Sequence, residues 1–467
     1  MGKPTFILGA YLEKENLAVL LLRLAKLTGE TAKTMTKTGA IRKLQVPYLK
    51  QKVTKLEYKE GVSSFGSIYE QEIKEEWDWV AVYDYVEGEV KKTEDFSRLA
   101  HQVSSAFGTN VGQAEFWISR FLNTISLATL NGANEERIFA LTYSFMKDLE
   151  GSPKSWTPRI WIKGTWLVED TLNLPNGITL RKPTAADLEN SWSLQLFPYF
   201  MGSLSIDHPT AILEMSIRAK DQPEVSREIQ KLILMLRLWK VGSVESIRTY
   251  WISESILQFG GYHSRSGVQE TFKYPLSKAD IPKLGRFIEV VSTLVPKKLF
   301  EPTTEQVDYS MIAIQRYNDA VMKPEIMESR LSLAIMALES LYLKEKEREE
   351  LEHRLSQRIS RLLGLYGYEP LEVFNTMKQS YSIRSSYVHG SPILDERLGE
   401  VSKLVGMVTE YTRHSIIVFL QLKPKIEKDN LLSLIDNSLL SDKALDKLKG
   451  ILKENCPIYN DLLKPDA

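Results

Sequence analysis

The chain has 467 residues, of which 43% are hydrophobic and 26% charged, a composition typical of a folded globular protein. Since single domains typically run to about 100–200 residues, this length predicts two or three domains. Sixty basic residues balance sixty acidic ones, so any nucleic-acid-binding surface must be local. The single cysteine, Cys456, excludes an intramolecular disulfide and a thiolate metal cluster, which fits a reducing cytoplasm.

Residues 1–150 predict a mixed α+β domain. The apolar stretch 17–27 contains Arg23 and Lys26 and is shorter than the roughly 20 residues that a membrane helix needs. It therefore predicts an amphipathic helix of a cytoplasmic protein with no membrane contact. Alternating aromatic residues at 77–85 predict a strand, whereas 95–148 is mainly helical in pattern.

Residues 156–275 predict a second α+β domain, which follows a short linker at 151–155 rich in Gly, Pro and Ser. Short apolar runs separated by turn residues predict several strands. One helix is predicted among them, because apolar residues from Ile229 to Trp239 repeat at helical spacing. The predicted strands lie at 160–162, 164–168, 177–181 and 250–252.

Residues 277–422 predict an all-α bundle. Long helical periods follow one another, and their apolar stripes can be buried only against each other. The tail, 428–467, predicts short helices that pack on the bundle or on a partner. The predicted fold class is therefore a multidomain chain, with an α+β N-terminal half followed by a helical bundle.

The best candidate for chemistry is an arginine five positions before a histidine. Arg384 and His389 come immediately before a helix stop at Gly390. On a regular helix they lie about 140° apart and do not share a face, although the long arginine stem can swing toward the imidazole. A guanidinium can grip two phosphate oxygens, and an imidazole can transfer protons at neutral pH.

The same spacing recurs at Arg348 and His353, so spacing alone is a weak signal. That second match lies beside the charged run 344–350, which is typical of a solvated helix face. We therefore interpret it as structural.

The C-terminal third resembles the Apea-like branch of the HEPN superfamily. The similar segments are 337–341, 354–364 and 381–390, in the order and separation of that family. The resemblance implies a helical HEPN bundle at 277–422, and RNA binding or metal-independent RNA cleavage. It also implies a symmetric homodimer in which two Arg-x4-His pairs meet, acting without a cofactor.

By the same resemblance, Arg384 clamps phosphate and His389 acts as general acid or base, with the small polar Ser385 directly after the arginine. Glu339 orients or charge-balances the arginine, although an internal salt bridge explains it equally well. Tyr381 is a supporting residue or a core aromatic. The family is usually placed in defence or stress systems, so an antiviral or toxin role with an antidote or sensor partner is the matching hypothesis.

Two alternatives stay open for this segment. In the first, Arg384 pairs with Glu339 or caps helix carbonyls, and His389 is a C-terminal histidine that the helix dipole favours. In the second, the helical domain is a non-catalytic RNA- or protein-binding module that serves dimerisation.

A basic segment in the first domain is a second candidate RNA contact. Between residues 31 and 59 eight basic residues, among them Lys50, Lys52 and Lys55, face one acid, Glu57, and interleaved tyrosines could stack on bases. The alternative is an ordinary lysine-rich surface beside the acidic stretch 70–78.

The glycine-rich stretch 260–267 is a third candidate. It predicts a surface hairpin between strands, whose His263 and Arg265 are candidates for substrate capture. No phosphate-binding loop, dinucleotide fingerprint, His-Glu-x-x-His motif or nucleophile elbow occurs in the sequence. Metal and cofactor chemistry are therefore not expected.

Overall fold

The computed structural model describes residues 4–59, 62–193, 208–257, 262–264, 272–301, 307–323, 326–390 and 398–463. Its N-terminal half contains sheets and helices, and its C-terminal region is helical, as the sequence predicted. Within these described ranges, no helix has both the length and the apolar character needed to cross a bilayer.

Five helices pack together in the first region. Leu21 and Leu24 of the first helix are buried in this core, and the rings of Phe121 and Phe145 stack with centroids 4.7 Å apart. The helices predicted at 17–27 and within 95–148 are thus confirmed. The five are α1 (Pro4–Lys37), α2 (Trp79–Val90), α3 (Glu94–Phe107), α4 (Val111–Leu130) and α5 (Glu135–Leu149).

The strand predicted at 77–85 is wrong, because α2 occupies most of it. The Asp78 carboxylate accepts a hydrogen bond from the Ala81 N–H at 3.1 Å and caps this helix. Val82, Val86 and Val90 recur at four-residue spacing and are buried. Packing of this stripe against the neighbouring helices outweighs the β-propensity of the aromatic residues between them.

A long antiparallel hairpin links α1 to α2 and was not predicted. Its strands are β1 (Lys43–Lys59) and β2 (Val62–Trp77), which place Lys50 opposite Glu70. The short strand β8 (Asn190–Ser193) pairs with the other edge of β1. The part of the basic segment that contains Lys50, Lys52 and Lys55 is therefore one strand of a ribbon whose second strand carries most of the acidic stretch, whereas Lys33 and Lys37 lie in α1.

A six-stranded antiparallel sheet forms the centre of the second region. The strands predicted at 160–162 and 177–181 are confirmed, whereas the one predicted at 250–252 begins earlier and ends at Tyr250. In spatial order the strands are β12 (Tyr262–Ser264), β11 (Glu245–Tyr250), β4 (Arg159–Lys163), β9 (Ala211–Glu214), β7 (Ile178–Arg181) and β6 (Thr171–Leu174).

Two smaller pairings flank this sheet. The strand predicted at 164–168 is confirmed and pairs in parallel with a strand that closes the region. Lys154 and Ser155, predicted as linker residues, instead begin a strand. The pairs are β3 (Lys154–Trp156) with β10 (Ile217–Ala219), and β5 (Thr165–Leu167) with β13 (Tyr274–Leu276).

Helices account for nearly all regular structure after β13. The helix stop predicted at Gly390 is confirmed, because a helix ends at Val388 just before it. A short helix, α6 (Ala185–Leu188), and the predicted helix α7 (Gln222–Trp239) precede them. The later helices are α8 (Ile281–Leu294), α9 (Tyr309–Met322), α10 (Met327–Tyr342), α11 (Leu351–Gly364), α12 (Pro370–Val388), α13 (Leu398–Leu422), α14 (Lys428–Ser438) and α15 (Asp442–Asn455).

One apolar core joins the sheet, the bundle and the tail. Leu180 of β7, Leu236 of α7, Leu338 of α10 and Leu452 of α15 all belong to it. The tail helices therefore pack on the bundle, as predicted. The Arg413 guanidinium adds a polar link, since it donates to the carbonyl oxygens of the last two α7 residues at 2.7 and 3.0 Å.

Candidate functional site

Helices α10 and α12 position the predicted catalytic segment. Pro370 begins α12, where its missing N–H costs nothing, and Ile383 anchors the other end of the helix by burial. The helix ends at Val388, His389 caps it, and Gly390 adopts a left-handed backbone with φ of 76°. Arg384 thus lies in the last turns of a helix that stops abruptly after its histidine.

The Arg384 side chain is held by two predicted supporting residues. Its Nη2 donates to the Glu339 Oε2 on α10 at 3.2 Å, and its guanidinium lies 5.2 Å from the centre of the Tyr381 ring. The side chains of Arg384 and Glu339 are 25% and 20% exposed, so this ion pair is accessible from solvent without being a free surface pair. The structure therefore brings three of the predicted site residues together.

One donor of the arginine is left without an acceptor. The Nε of Arg384 is buried and forms no hydrogen bond within the described residues. A buried unsatisfied donor costs about 1–3 kcal/mol, and more for a charged group, so such a donor calls for an explanation. An oxyanion would meet Arg384 through the exposed part of its side chain and not through this buried Nε.

Burial shapes the electrostatics of this cluster. It raises the pKa of Glu339 above the ordinary value, although the Arg384 guanidinium and the Tyr381 hydrogen bond oppose that rise. It also raises the pKa of Tyr381, with the neighbouring Glu339 carboxylate acting in the same direction. Glu339 consequently takes up a proton at a higher pH than an exposed glutamate, and its hold on Arg384 weakens when it does.

His389 lies at the exposed end of the same helix. Its backbone N–H donates to the Ser385 carbonyl at 3.1 Å, which is the role of Ser385 in the described contacts. No hydrogen bond or ion pair links His389 to Arg384 within the described part of the chain. An exposed imidazole can exchange protons with a group that approaches from solvent.

The second Arg-x4-His match has other surroundings. Residues 344–350 form an irregular connection, so the predicted helix face is wrong there, although Arg348 is exposed as expected. Arg348 donates to the carbonyl oxygens of Glu345 and Glu347 at 2.6 and 3.0 Å. His353 sits in the first turn of α11 with its ring edge-on to Phe374. Here the Nη1 of the arginine is bonded within its own turn, and no second helix holds the side chain in the described contacts.

The predicted RNA-binding lysines of β1 lie beside carboxylates. Lys52 forms an ion pair with Glu70, and the Lys55 Nζ lies 2.5 Å from a Glu57 carboxylate oxygen. Lys50 faces Glu70 across the hairpin. Their RNA contact stays a prediction, because these carboxylates reduce the local positive charge without removing it.

The loop candidates are only partly covered by the structure. His263 lies in β12, opposite Thr249 of β11, so this part of the predicted loop is instead a paired strand. Arg265 lies outside the described residues.

A second candidate region was not predicted from the sequence. A cleft of about 480 Å³ lies between α7, β11 and α9, beside a short 3-10 turn at Lys297–Phe300. Its lining residues come from segments that are far apart in the chain, and each segment alone has an unremarkable pattern of polar and apolar residues. No local signal could have identified it.

Comparisons with known proteins do not identify the function of this site. No protein-family model, no curated protein and no solved structure matches the chain. Among the residues that the structure describes, no group of three or more His, Cys, Asp or Glu side chains could hold a metal ion.

Proposed function

We propose that the helical region is a HEPN-type domain and that the protein is a metal-independent RNA endonuclease. The observation that carries this proposal is the state of Arg384. Its side chain is positioned by Glu339 and Tyr381, stays 25% exposed to solvent, and precedes an exposed histidine by five residues. These are the properties of a phosphate-binding arginine beside a proton-transfer group.

In the proposed reaction the ribose 2′-oxygen attacks the adjacent phosphorus. His389 accepts the 2′-hydroxyl proton, the new bond from the 2′-oxygen to phosphorus forms, and the bond from phosphorus to the 5′-oxygen breaks. A proton delivered to that leaving oxygen completes the step, which yields a 2′,3′-cyclic phosphate and a 5′-hydroxyl. Arg384 stabilises the negative charge that builds on the phosphoryl oxygens.

A homodimer is part of the proposal. One chain supplies one imidazole at this site, whereas the reaction benefits from separate acid and base. A twofold axis beside the end of α12 would bring a second His389 and a second Arg384 to the same phosphate. The exposure of Val388, Gly390 and His389 leaves this helix end open to a second copy.

The rival function is a non-catalytic module that binds RNA or protein. The observation in its favour is the ion pair between Arg384 and Glu339, since a guanidinium that is already neutralised can be purely structural. An antidote or sensor protein would then act on a binding surface and not on an enzyme.

Incubation of the pure protein with a single-stranded RNA and with the DNA of the same sequence separates the two functions. We expect RNA to be cut and DNA to be bound at most, because DNA has no 2′-hydroxyl. His389→Ala should abolish cutting while its circular dichroism and melting temperature match the wild type. RNA that stays intact under all conditions, or a His389→Ala protein that cuts at the wild-type rate, would refute the enzymatic proposal.

A further inference from the structure

The cleft between the sheet and the bundle has the size of a small-molecule site. Its volume of about 480 Å³ falls within the range of about 300–1,000 Å³ that is usual for ligand pockets. It lies where α7 and β11 of the α+β region meet α9 of the bundle, the kind of junction at which such pockets occur. None of its lining residues belongs to the Arg384 cluster.

Amide side chains line this cleft and keep free hydrogen-bonding groups. Gln230 and Gln315 form no side-chain hydrogen bond within the described residues. Asn318 uses its Oδ1 to accept from the Arg237 Nη1 at 3.2 Å, which leaves its NH₂ group available. Donors and acceptors of three amides therefore face one small space.

The charged groups of the cleft are engaged with protein partners. The Arg237 Nε donates to the Val244 carbonyl at 2.6 Å, and the Asp319 carboxylate forms ion pairs with Arg316 and Lys323. Glu245 lies opposite a lysine on the neighbouring strand. A strongly charged ligand would find no unmatched partner here, so the lining favours an uncharged polar molecule.

Aromatic and aliphatic side chains complete the wall. Trp251 is 8% exposed, and Phe300 is half-buried at the end of the 3-10 turn. Ile229 and Ile233 of α7 add apolar surface beside them. A flat ring can pack on such a surface while its polar edge reaches the amides.

We propose that this cleft binds an uncharged nucleoside through its base. The ring lies against Trp251 and Phe300, and its polar edge pairs with the amides of Gln315 and Asn318, as amides pair with base edges elsewhere. The proposal goes beyond RNA cleavage at Arg384 and does not depend on it. A bound nucleoside would contact both the α+β region and the bundle, so its occupancy would couple the two.

Isothermal titration of the full chain with adenosine, guanosine, cytidine and uridine tests the site. At least one nucleoside should bind at least tenfold more tightly than ribose does. Gln315→Ala removes an exposed side chain that forms no hydrogen bond with the described residues, and it should weaken that binding about tenfold. Gln71→Ala, at an exposed amide on the β2 strand, should leave it unchanged.

A site-specific readout accompanies the titration. The nucleoside should quench tryptophan fluorescence in the wild type, and Trp251→Phe should remove that quenching. No nucleoside binding at millimolar concentration, equal binding of ribose, or binding of nucleoside triphosphates alone would each overturn the proposal. RNA cleavage by the same preparation is measured separately, so failure here is distinguishable from failure of the endonuclease.

Discussion

Two segments of the helical region, 348–353 and 384–389, share the Arg-x4-His spacing but have different surroundings. Arg348 is bonded to carbonyl oxygens of its own turn, and His353 packs on a neighbouring ring. Arg384 is held from another helix by Glu339 and keeps a buried donor unsatisfied, next to the exposed helix end at His389. The comparison teaches that an Arg-x4-His spacing becomes a candidate site only where another helix holds the guanidinium and leaves part of it exposed to solvent.

The largest difference between the two segments should be in catalysis. Arg384→Ala should lower RNA cleavage by about 10²–10³-fold, because the charge of the transition state loses its main partner. Arg348→Ala, the matched control, should cut RNA at the wild-type rate. Initial rates on one fluorescent RNA measure both. Equal losses in the two variants would break the comparison and remove the special status of Arg384.

The segment around Arg348 should matter for stability and not for catalysis. The buried Arg358 guanidinium, which is 1% exposed, bonds both oxygens of Glu347 at 2.6 and 2.8 Å and holds the pKa of that carboxyl at about 2. Glu347→Gln should therefore lower the free energy of unfolding by about 1–2 kcal/mol at neutral pH, because solvent screens part of the interaction and Asp436 still pairs with Arg358. Urea unfolding measures this loss, with the exposed Glu345→Gln as the control that should change nothing.

The pH dependence of this loss has a defined sign. A depressed pKa in the folded state stabilises the protein above the unfolded value of about 4.3, and that stabilisation disappears as pH falls toward about 2. The wild type and Glu347→Gln should thus converge in stability over this acidic range. A difference that stays constant down to the lowest pH would contradict the proposed role of the Arg358 ion pair.

The sequence predicted the helices of this region better than it predicted the contacts between them. The helical periods of 277–422 were predicted, because each long helix carries its own apolar stripe. The cluster of Glu339, Tyr381 and Arg384 was assembled through a family resemblance, since residues 45 positions apart in sequence, as Glu339 and Arg384 are, give no periodic signal of contact. The unsatisfied Nε of Arg384 depends on side-chain packing, which the sequence alone does not predict.

The N-terminal half was harder to predict. The hairpin of β1 and β2 is largely exposed or half-buried, and its alternation of apolar and polar residues is confined to a short run at Leu44, Val46 and Tyr48, too short to reveal strands of this length. Residues 77–85 carry β-favouring aromatic residues, but the helical spacing of Val82 and Val86 decided the structure. In both places tertiary context outweighed local preference.

A smaller effect on RNA cleavage should follow from changing Glu339, which supports Arg384. Glu339→Gln should slow RNA cleavage about tenfold, because one charge-assisted hydrogen bond that positions the guanidinium is weakened. Burial raises the pKa of Glu339, so the acidic limb of the wild-type rate profile should contain a group that titrates above an ordinary glutamate. This group should be absent from the variant. An unchanged rate and profile would leave Glu339 as a structural partner only.

The smallest effect is expected at the hairpin. Replacing Lys50, Lys52 and Lys55 by Glu should weaken RNA binding a few-fold and flatten its salt dependence, since fewer counterions are released. The effect is modest because Glu57 and Glu70 already lie beside these lysines. The control is an equal change at three exposed lysines of α15, which are Lys443, Lys447 and Lys449.

Fluorescence anisotropy across several salt concentrations measures both triple variants. Identical affinity and identical salt slopes for the hairpin variant and the wild type would remove β1 from RNA recognition, without affecting the comparison of the two arginines.

The chemistry proposed for Arg384 and His389 is tested most directly by the ends of the RNA products. Products made by the wild-type protein in EDTA should be analysed by mass spectrometry, alongside the His389→Ala and His353→Ala proteins. We expect 2′,3′-cyclic phosphate ends at undiminished rate from the wild type and His353→Ala, and intact RNA from His389→Ala. Cleavage that stops in EDTA and returns with magnesium, or products that carry a 3′-hydroxyl, would contradict the mechanism.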